Sequence, residues 1–335
     1  MGEKQRIAVI GAGLTGLTVA RALAETASVA VIEKSRGLGG RMATRRAEPF
    51  AFDHGTQYFS AKSPAFETFL APYIAAGTVK PWAPKSVILP QDAGDAPVWA
   101  SPRYVAAPSM TALAKALASD LDVTRGWQVE TLHREQAGWL LINREGQQLG
   151  PFDWVVSTAP LPQTAALLPT SFAGGSAFSQ ARMQGCYSLM LGFADPLPLA
   201  WEAAWVREGP LAWIAVDSSK PGRGGPQAIV AQTSNDWAEA NLERPQEEVR
   251  DELRDAFATA TGQDPSGAAY ISLHRWRYAN VPVPADAPFL IDQESGLAAA
   301  GDWCGAGKVE AAFESATALA AALMPSLQGA RVLTP

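Results

Sequence analysis

The sequence predicts an α/β protein, α+β overall, with two domains, of which the second has a mixed sheet and is discontinuous in the chain. An apolar run at residues 7–10 leads directly into a glycine-rich turn at 11–16, and a second apolar run follows at 29–32. Near the other end, a small-residue strand at 296–303 precedes an alanine-rich helical stretch at 309–323. A length of 335 residues exceeds what one hydrophobic core usually serves, so two domains are expected.

The glycine-rich turn has the spacing of a dinucleotide-binding fingerprint, which makes the first domain Rossmann-like. Gly11 permits a tight turn from strand to helix, Gly13 lets a pyrophosphate approach the backbone, and Gly16 lets the helix pack closely on the strand. Glu33 follows Gly11 by 22 residues, at the tip of the second strand, where its carboxylate can accept a hydrogen bond from a ribose hydroxyl. An ordinary tight turn would explain the glycines alone, but the full combination favours a cofactor site. The residues of this segment that are predicted to bind the cofactor are Gly11, Gly13, Leu14, Thr15, Gly16 and Glu33.

The segment after Glu33 indicates which dinucleotide is bound. Four cations and three glycines lie between Lys34 and Arg45. Glycines let the main chain run against a flat ligand, and arginines can hold pyrophosphate oxygens through charge-assisted hydrogen bonds. Nicotinamide enzymes rarely need such an extension, so the segment favours FAD, with a solvated basic loop as the alternative. The residues of this segment that are predicted to bind FAD are Lys34, Arg36, Gly40, Arg41 and Met42.

The far end of the chain supplies complementary groups. Asp302, which follows Gly301 at the end of the small-residue strand, can accept from a ribityl hydroxyl. A helix that starts near Val309 directs free amides and a positive partial charge at the pyrimidine edge of a flavin, where negative charge accumulates on reduction. Glu310 is assigned to the site as well, although an acid that favours a helix start would explain it alone.

The nucleotide-binding segments alternate with segments of a second domain. The predicted FAD-binding domain comprises residues 1–75, 100–165 and 281–335. The predicted substrate domain comprises residues 76–99 and 166–280. The chain is therefore expected to cross between the domains several times.

Local patterns inside the second domain predict its elements. Apolar alternation predicts short strands between 79 and 99 and a strand at 270–276. Two helices are predicted within 235–261. Segments rich in proline and glycine, at 219–226 and 281–288, indicate surface loops.

These motifs together resemble those of bacterial renalases, and the similarity runs from one end of the chain to the other. Two strings, Asp-His-Gly-Thr-Gln-Tyr-Phe at 53–59 and His-Arg-Trp at 274–276, distinguish that family from general amine oxidases better than the glycine motif does. The resemblance implies a flavin amine oxidase fold and oxidation of aberrant 2- or 6-dihydro isomers of NAD(P)H. The implied products are NAD(P)+ and hydrogen peroxide. The resemblance to renalases depends on residues 11–16, Glu33, 36–42, 53–59, 274–276 and 301–304.

The resemblance also implies cofactor contacts that spacing alone does not. In relatives, the backbone at the position of Val129 contacts the adenine, and Thr158 stands where the chain returns to the nucleotide domain. Ala311 departs from the pattern, since many relatives of the fold place glycine there. Cysteine attaches the flavin covalently in some amine oxidases, but nothing near Cys304 supports this, so noncovalent FAD is expected.

Five residues are candidates for the substrate pocket. His54, Gln57 and Tyr58 follow the flavin loop closely enough to line its face, and His274 and Trp276 point to the same side of a predicted strand. A hydrogen-bonded core histidine is an equally good interpretation of His274. No residue is assigned a catalytic role, because a dihydropyridine gains aromatic stabilisation when it gives a hydride to flavin N5 and no proton must first be removed.

Composition limits the classes of partner. A formal net charge of −6, without a basic stripe, argues against nucleic acid. The two cysteines and three scattered histidines do not have the spacing of metal ligands. The low cysteine content fits a reduced, cytoplasmic protein. No run reaches the ~20 apolar residues that span a bilayer. The expected partners are a small dinucleotide substrate and O2, and the sequence does not indicate an oligomeric state.

Three functions of different kinds remain open from the sequence. The first is an oxidase of aberrant dihydronicotinamides, and the second is an amine or polyamine oxidase on the same fold. The third is a nonenzymatic FAD-binding sensor or partner protein, in which the reduced flavin reacts sluggishly with oxygen. Bleaching of the flavin by isomers of dihydro-NAD would indicate the first function, and bleaching by amines would indicate the second. Formation of peroxide at substrate-limited rates would exclude the third.

Overall fold

The computed structural model of the protein describes residues 4–90 and 101–329. The seven α-helices in these residues are α1 (Leu14–Leu23), α2 (Pro64–Ala75), α3 (Thr111–Leu117), α4 (Leu161–Leu167), α5 (Asn235–Asn241), α6 (Gln246–Thr261) and α7 (Val309–Gly329).

Nineteen strands lie in the same residues. The first ten are β1 (Arg6–Ile10), β2 (Ser28–Glu33), β3 (Arg45–Ala47), β4 (Phe50–Phe52), β5 (Val79–Pro81), β6 (Ser86–Leu89), β7 (Tyr104–Ala106), β8 (Asp122–Arg125), β9 (Val129–Glu135) and β10 (Gly138–Asn143). The others are β11 (Gln148–Phe152), β12 (Trp154–Ser157), β13 (Arg182–Phe193), β14 (Ala203–Val206), β15 (Leu211–Val216), β16 (Gln227–Thr233), β17 (Tyr270–Val283), β18 (Leu290–Asp292) and β19 (Leu297–Ala299).

The chain forms two compact units, each assembled from separate segments. The first unit contains the residues up to Gly40, Ala114–Met183 and the residues from Val281 onward, and the second contains Arg41–Leu113 and Gln184–Asn280. Packing defines these units, whereas the predicted domains were defined by ligand roles, so the two divisions place 41–75, 101–113 and 166–183 differently. The predicted domain assignment stays a prediction, and its residues 91–99 lie outside the described residues.

The first unit is built on a six-stranded sheet of order β18-β19-β12-β1-β2-β8. From β19 to β8 the neighbouring strands are parallel, and only β18 is antiparallel to its neighbour. Parallel strands end at the same edge of a sheet, so Gly11, Glu33 and Thr158 lie along one edge, where open α/β sheets bind ligands. This edge positions the predicted cofactor residues. A separate three-stranded sheet has the order β11-β10-β9.

The second unit is built on another six-stranded sheet, of order β17-β13-β16-β15-β14-β6. Along β13, Tyr187, Leu189 and Leu191 point into a buried core that includes Leu253 and Phe257 of α6. Burying one such large apolar side chain stabilises a fold by about 1.5–3 kcal/mol. His274 and Trp276 lie on β17, at one edge of this sheet.

Helix α6 shows how local sequence positions this core. Val249, Leu253 and Phe257 recur every four residues and are all buried, so they form one apolar stripe. The helix ends at Gly262, which adopts a left-handed conformation with φ of +67° and donates its amide to the carbonyl of Ala258 at 2.9 Å. Only glycine adopts this conformation without strain, so the sequence fixes the end of the helix.

Most predicted elements of the second unit are confirmed, with two corrections. Helices α5 and α6 occupy the predicted 235–261, but β17 continues to Val283 and therefore enters the segment predicted as a loop at 281–288. The predicted surface loop at 219–226 is wrong for Lys220, whose side chain is fully buried. Its charge is compensated by buried carboxylates, a long-range feature that local composition does not reveal.

No helix within residues 4–90 and 101–329 is long and apolar enough to cross a membrane.

Candidate functional site

The glycine turn of the first unit has the geometry that its spacing predicts. Gly11 adopts φ of +105°, and a Cβ added to Gly16 would lie 2.0 Å from the Gly11 carbonyl oxygen. A Cβ added to Gly13 would instead meet no protein atom within 4 Å. The third glycine thus serves close packing, while the second leaves the backbone open to a ligand. This difference fits the approach of a pyrophosphate to the start of α1.

Thr158 lies beside the same turn. Its hydroxyl donates to the carbonyl of Ile10 at 2.8 Å, and a Cβ on Gly11 would come within 2.9 Å of that hydroxyl oxygen. Leu14 and Thr15 are buried in the first turn of α1, where the Thr15 hydroxyl donates to the carbonyl of Ala312 in α7 at 3.2 Å. The two ends of the chain therefore meet at this turn.

Glu33 ends β2 and is only 6% exposed. Its two carboxylate oxygens accept the amides of Ala12 at 2.8 Å and of Ser35 at 2.7 Å. Each oxygen has a further lone pair, so the carboxylate can still accept a ribose hydroxyl. The contact with Ala12 also ties the acid to the glycine turn.

The basic segment after Glu33 folds back on the glycine turn. Gly39 donates its amide to the carbonyl of Ala12 at 2.9 Å, and a Cβ on Gly40 would lie 3.4 Å from the Gly13 Cα. Lys34 and Arg36 are exposed, and the Lys34 ammonium donates to the Gln163 side chain at 3.2 Å. Gly39 and Gly40 thus lie close to the backbone of the glycine turn, and their contact with a flavin stays a prediction. Val129 lies farther along the unit, at the start of β9.

The far-end residues also belong to the first unit. Asp302 is 4% exposed and begins a short 3-10 helix, and its backbone carbonyl accepts the amides of Gly305 and Gly307 at 3.0 and 3.2 Å. Val309 and Glu310 form the first turn of α7. The predicted groups are thus gathered at the start of this helix. Ala311, the residue that departs from the family pattern, is buried. Its Cβ lies 3.0 Å from the position that a Cβ added to Gly305 would occupy.

Arg41 and Met42, the last residues assigned to the cofactor, fall in the second unit. The Arg41 carbonyl accepts the amide of Thr56 at 2.9 Å, and a Cβ on Gly55 would lie 1.9 Å from that oxygen. Met42 is 5% exposed. The end of the flavin loop is therefore packed directly against the string 53–59.

Three substrate-pocket candidates come together in the second unit. The ring of His54 stacks on that of Trp276 with centroids 5.2 Å apart, and His274 meets both rings edge to face, at 4.7 Å from His54 and 4.3 Å from Trp276. The indole of Trp276 donates to the carbonyl of His54 at 2.8 Å. We call these three residues the histidine–tryptophan cluster.

Both histidines of this cluster are held neutral. Burial, followed by the neighbouring His274 and Arg45, lowers the pKa of His54 to about 4. Burial, followed by Arg45, lowers the pKa of His274 to about 4 as well. Near neutral pH the cluster therefore offers polar groups without positive charge.

Gln57 is directed toward a different set of residues. Its amide nitrogen donates to the backbone carbonyls of Asp53 and Gly55, the latter at 3.3 Å, and its oxygen accepts from the Lys220 ammonium at 3.3 Å. These contacts hold the backbone on either side of His54. A direct contact between Gln57 and substrate stays a prediction.

Lys220 belongs to a buried ionic cluster that sequence reasoning missed, formed by Asp53, Asp217, Lys220 and Arg223. The Lys220 ammonium lies 2.5 Å from Asp217 and 3.6 Å from Asp53, and Arg223 pairs with Asp53. Burial acts to raise the pKa of Asp53, but Lys220 and Arg223 lower it overall. Burial, together with Asp53, raises the pKa of Asp217. Two acids and two bases balance in charge, which makes their burial tolerable.

Tyr58 lies in an aromatic cluster rather than with the two histidines. Its ring centroid is 5.5 Å from that of Trp213 and 6.1 Å from that of Trp82, and the Arg103 guanidinium lies 5.6 Å above it. Trp205 extends the group, 5.2 Å from Trp213. The five pocket candidates are thus divided among three neighbourhoods.

The cysteines and possible metal ligands are chemically quiet. Burial raises the pKa of Cys304 to about 12 and that of Cys186 to about 11, so neither is a thiolate, the reactive form, near neutral pH. Within the described parts of the chain, no group of three or more His, Cys, Asp or Glu side chains is arranged to hold a metal ion.

Comparison with known proteins places these sites in a wider context. Residues 88–324 match the profile of flavin containing amine oxidoreductases, and residues 9–73 match that of an NAD(P)-binding Rossmann-like domain. A protein described as a protoporphyrinogen oxidase from Exiguobacterium sp. 255-15 is similar in structure, with a TM-score of 0.75 and 13% identity over 97% of this chain and 100% of that one. Cyclohexylamine oxidase from Brevibacterium oxydans IH-35A is similar in structure, with a TM-score of 0.73 and 14% identity over 97% of this chain and 100% of that one. A double mutant of putrescine oxidase is also similar, with a TM-score of 0.70 and 12% identity over 96% of this chain and 99% of that one.

Proposed function

Because the chain belongs to the flavin containing amine oxidoreductase family and FAD is its cofactor, we propose that it is a renalase-type oxidase. Its substrates would be the 2- or 6-dihydro isomers of NAD(P)H, and its products NAD(P)+ and hydrogen peroxide. It would thereby return misreduced pyridine nucleotides to the usable pool.

The observation that carries the proposal is the meeting of the two strings that distinguish renalases. The strings 53–59 and 274–276 lie far apart in the chain, yet Trp276 stacks on His54 and donates to its carbonyl. Both strings therefore contribute to one cluster rather than to separate parts of the core. This supports a shared role for them in the reaction.

The charge state of the cluster suits this chemistry. A dihydropyridine that gives up a hydride becomes a cationic pyridinium ring, so a protonated histidine in contact with that ring would oppose the reaction. His54 and His274 are neutral near pH 7 because each pKa is held at about 4. Their ring nitrogens can hydrogen-bond a carboxamide, and the indole of Trp276 offers a flat surface to a planar ring. No side chain has to remove a proton from the donor carbon.

FAD supplies the hydride acceptor and the reactivity toward dioxygen when it is bound. We assign the open backbone at Gly13, the carboxylate of Glu33 and the neighbouring Thr158 to the adenosine and pyrophosphate end. Asp302 and the start of α7 are assigned to the ribityl chain and the flavin ring. A noncovalent cofactor is supported by the protonated state of Cys304.

An amine or polyamine oxidase is the second candidate. The aromatic cluster of Tyr58, Trp82, Trp205 and Trp213 favours it, because apolar aromatic walls admit a deprotonated amine. Two of the similar structures are a cyclohexylamine oxidase and a putrescine oxidase, but their identities of 14% and 12% support only the shared fold.

Anaerobic flavin spectra separate the two candidates. The purified holoprotein is mixed with 2-dihydro-NAD, 6-dihydro-NAD, ordinary NADH and a set of amines, and bleaching of the flavin is followed over time. The proposed function predicts rapid bleaching by one or both aberrant isomers, much slower bleaching by NADH and none by amines. Bleaching by amines alone would replace it with the second candidate.

The expected partners and location extend the proposal. A small dinucleotide and O2 are proposed as the reactants, without a nucleic acid or membrane partner. A cytoplasmic location is proposed because both cysteines are free and pyridine nucleotides are used there.

A further inference from the structure

Arg45 lies on β3 and reaches two side chains of β17. One guanidinium nitrogen donates to the Ser272 hydroxyl at 2.9 Å, and the other lies 3.4 Å from Nδ1 of His274. Ser272 and His274 are two residues apart on one strand, so they point to the same face. The planar fork of arginine can therefore hold both at once.

This contact determines which nitrogen of His274 carries the proton. A guanidinium can only donate hydrogen bonds, so Nδ1 of His274 must accept with its lone pair. The ring proton is then on Nε2, which leaves an N–H donor on the side of the ring away from Arg45. The permanent charge of Arg45 also opposes a second proton on the ring.

His54 supplies an independent sign that a ligand belongs in this place. The residue is only 6% exposed, and its Nδ1 has no hydrogen-bond partner in the described part of the chain. Buried polar nitrogens are normally paired, because an unpaired one costs about 1–3 kcal/mol. The ring of His274 is the edge-to-face neighbour of this imidazole.

We propose that Arg45 is a positioning residue of the substrate site, which acts through His274 to fix the Nε2–H tautomer and to keep both imidazoles uncharged. The cluster then presents neutral hydrogen-bonding groups to the carboxamide of an uncharged, planar dihydropyridine. This inference rests on the proposed function for the identity of that ligand, but not for the state of the histidines.

The charged groups around the pair are consistent with this role. Arg45 on β3 contacts His274 and its charge also acts on His54, and each histidine ring contacts the other. Asp53, which precedes His54, acts in the opposite direction and favours protonation of His54. Burial, His274 and Arg45, in that order, outweigh that carboxylate and a hydrogen bond with the Phe52 backbone, since the pKa of His54 remains at about 4.

Histidine NMR tests the first part of the proposal directly. The chain has three histidines, and exposed His133 serves as an internal reference. The holoprotein labelled with 15N-histidine is titrated as wild type, Arg45→Gln, Arg45→Lys and Arg46→Gln, the last being a control at the exposed neighbour on β3. The wild type and the control should show His274 as the Nε2–H tautomer. Arg45→Gln should mix the tautomers and raise the pKa of both His54 and His274.

Arg45→Lys separates charge from geometry. Lysine keeps the positive charge but lacks the planar fork that holds Ser272 and His274 together. The two histidines should remain unprotonated, as in the wild type, while the tautomer preference of His274 is lost. Unchanged tautomers in both Arg45 variants would overturn the proposal.

Flavin reduction tests the second part. Because burial still acts on both rings in Arg45→Gln, removing the guanidinium raises each pKa only part of the way toward the ordinary value of about 6.5. The pH at which reduction by the preferred dihydro-NAD isomer falls to half its maximal rate should therefore be higher in Arg45→Gln than in wild type and Arg46→Gln. The same pH profile in all variants would overturn the positioning role. If no isomer reduces the wild-type flavin, the proposed function fails, whereas the NMR result still decides whether Arg45 sets the state of the histidines.

Discussion

The glycine turn of the first unit and the histidine–tryptophan cluster of the second are built by opposite means. The turn uses backbone, and its residues from Gly11 to Glu33 follow one another within a single βαβ unit. The cluster uses side chains, and its hydrogen bond from Trp276 to His54 joins residues 222 positions apart. The first depends on the absence of side-chain atoms, whereas the second depends on charge and protonation.

This difference predicts different sensitivities. Adding one methyl group to the turn should disturb cofactor binding, while the second unit should tolerate small changes of volume better than changes of charge.

Lys220→Met should give the largest loss of stability. It leaves Asp53 and Asp217 buried with Arg223 as the one remaining cation of the ionic cluster. Removing one partner of a buried ion pair typically costs about 3–5 kcal/mol. Thermal and urea unfolding of the holoprotein would measure this loss, with exposed Lys85→Met as the control.

A double variant makes that test more specific. Lys220→Met combined with Asp217→Asn removes one charge of each sign and should recover part of the lost stability. Wild-type stability in the single variant would show that the ionic cluster does not hold the second unit together.

Gly16→Ala should damage both the fold and cofactor binding. Its Cβ would lie 2.0 Å from the Gly11 carbonyl oxygen, so backbone must shift. Overpacking of this kind costs about 1–3 kcal/mol or more. Gly175→Ala, whose Cβ would meet nothing within 4 Å and which lies outside the predicted cofactor residues, is the control in the same unit.

Gly13→Ala should separate binding from folding. A Cβ at Gly13 meets no protein atom within 4 Å, so the apoprotein should unfold at the wild-type temperature. FAD affinity should fall at least about tenfold, or about 1.4 kcal/mol, because the methyl group would occupy the approach of the pyrophosphate. Fluorescence titration with FAD measures this, and unchanged affinity would argue against a cofactor at this turn.

Stability should depend on pH through the two neutral histidines. In the unfolded chain a histidine has a pKa of about 6.5, whereas His54 and His274 have pKa values of about 4 in the fold. Between these values the unfolded state binds more protons, so stability rises with pH and falls on acidification from about 6.5 to 4. The double variant His54→Gln, His274→Gln should show a shallower pH dependence of Tm, whereas exposed His133→Gln should match the wild type.

Cys304→Ser should change least. Because burial holds the Cys304 pKa at about 12, no thiolate is present to attack the flavin. The variant should bind FAD as the wild type does, and unfolding of either protein should release all of the yellow colour. Flavin retained on the denatured wild type alone would contradict noncovalent binding.

Sequence reasoning succeeded where function is encoded locally. The glycine spacing and the distance to Glu33 predicted the fold of the first unit, because each residue has a role fixed by its neighbours. Helices α5 and α6 occupy the predicted 235–261, and the alanine-rich stretch predicted to be helical at 309–323 forms most of α7. The extent of β17 was underestimated, because its last residues belong to a proline-containing segment that favours a loop by composition.

The second unit could be predicted only in part. His54 and Trp276 were singled out through a family resemblance, since no local pattern connects them. Lys220 stood in a segment rich in proline and glycine and was assigned to the surface. Its burial depends on Asp53 and Asp217, which are close to it only in the folded chain. Arg45 was counted among the cations of the flavin loop, but its contacts with Ser272 and His274 depend on the pairing of distant strands.

The central claim is that the protein takes a hydride from misreduced pyridine nucleotides. The most direct measurement is stopped-flow bleaching of the holoprotein flavin, without air, by 2-dihydro-NAD, 6-dihydro-NAD and NADH in parallel. We predict that at least one of the first two bleaches the flavin much faster than NADH, and that admitting air restores the colour with formation of hydrogen peroxide. Equal rates with all three would contradict the claim.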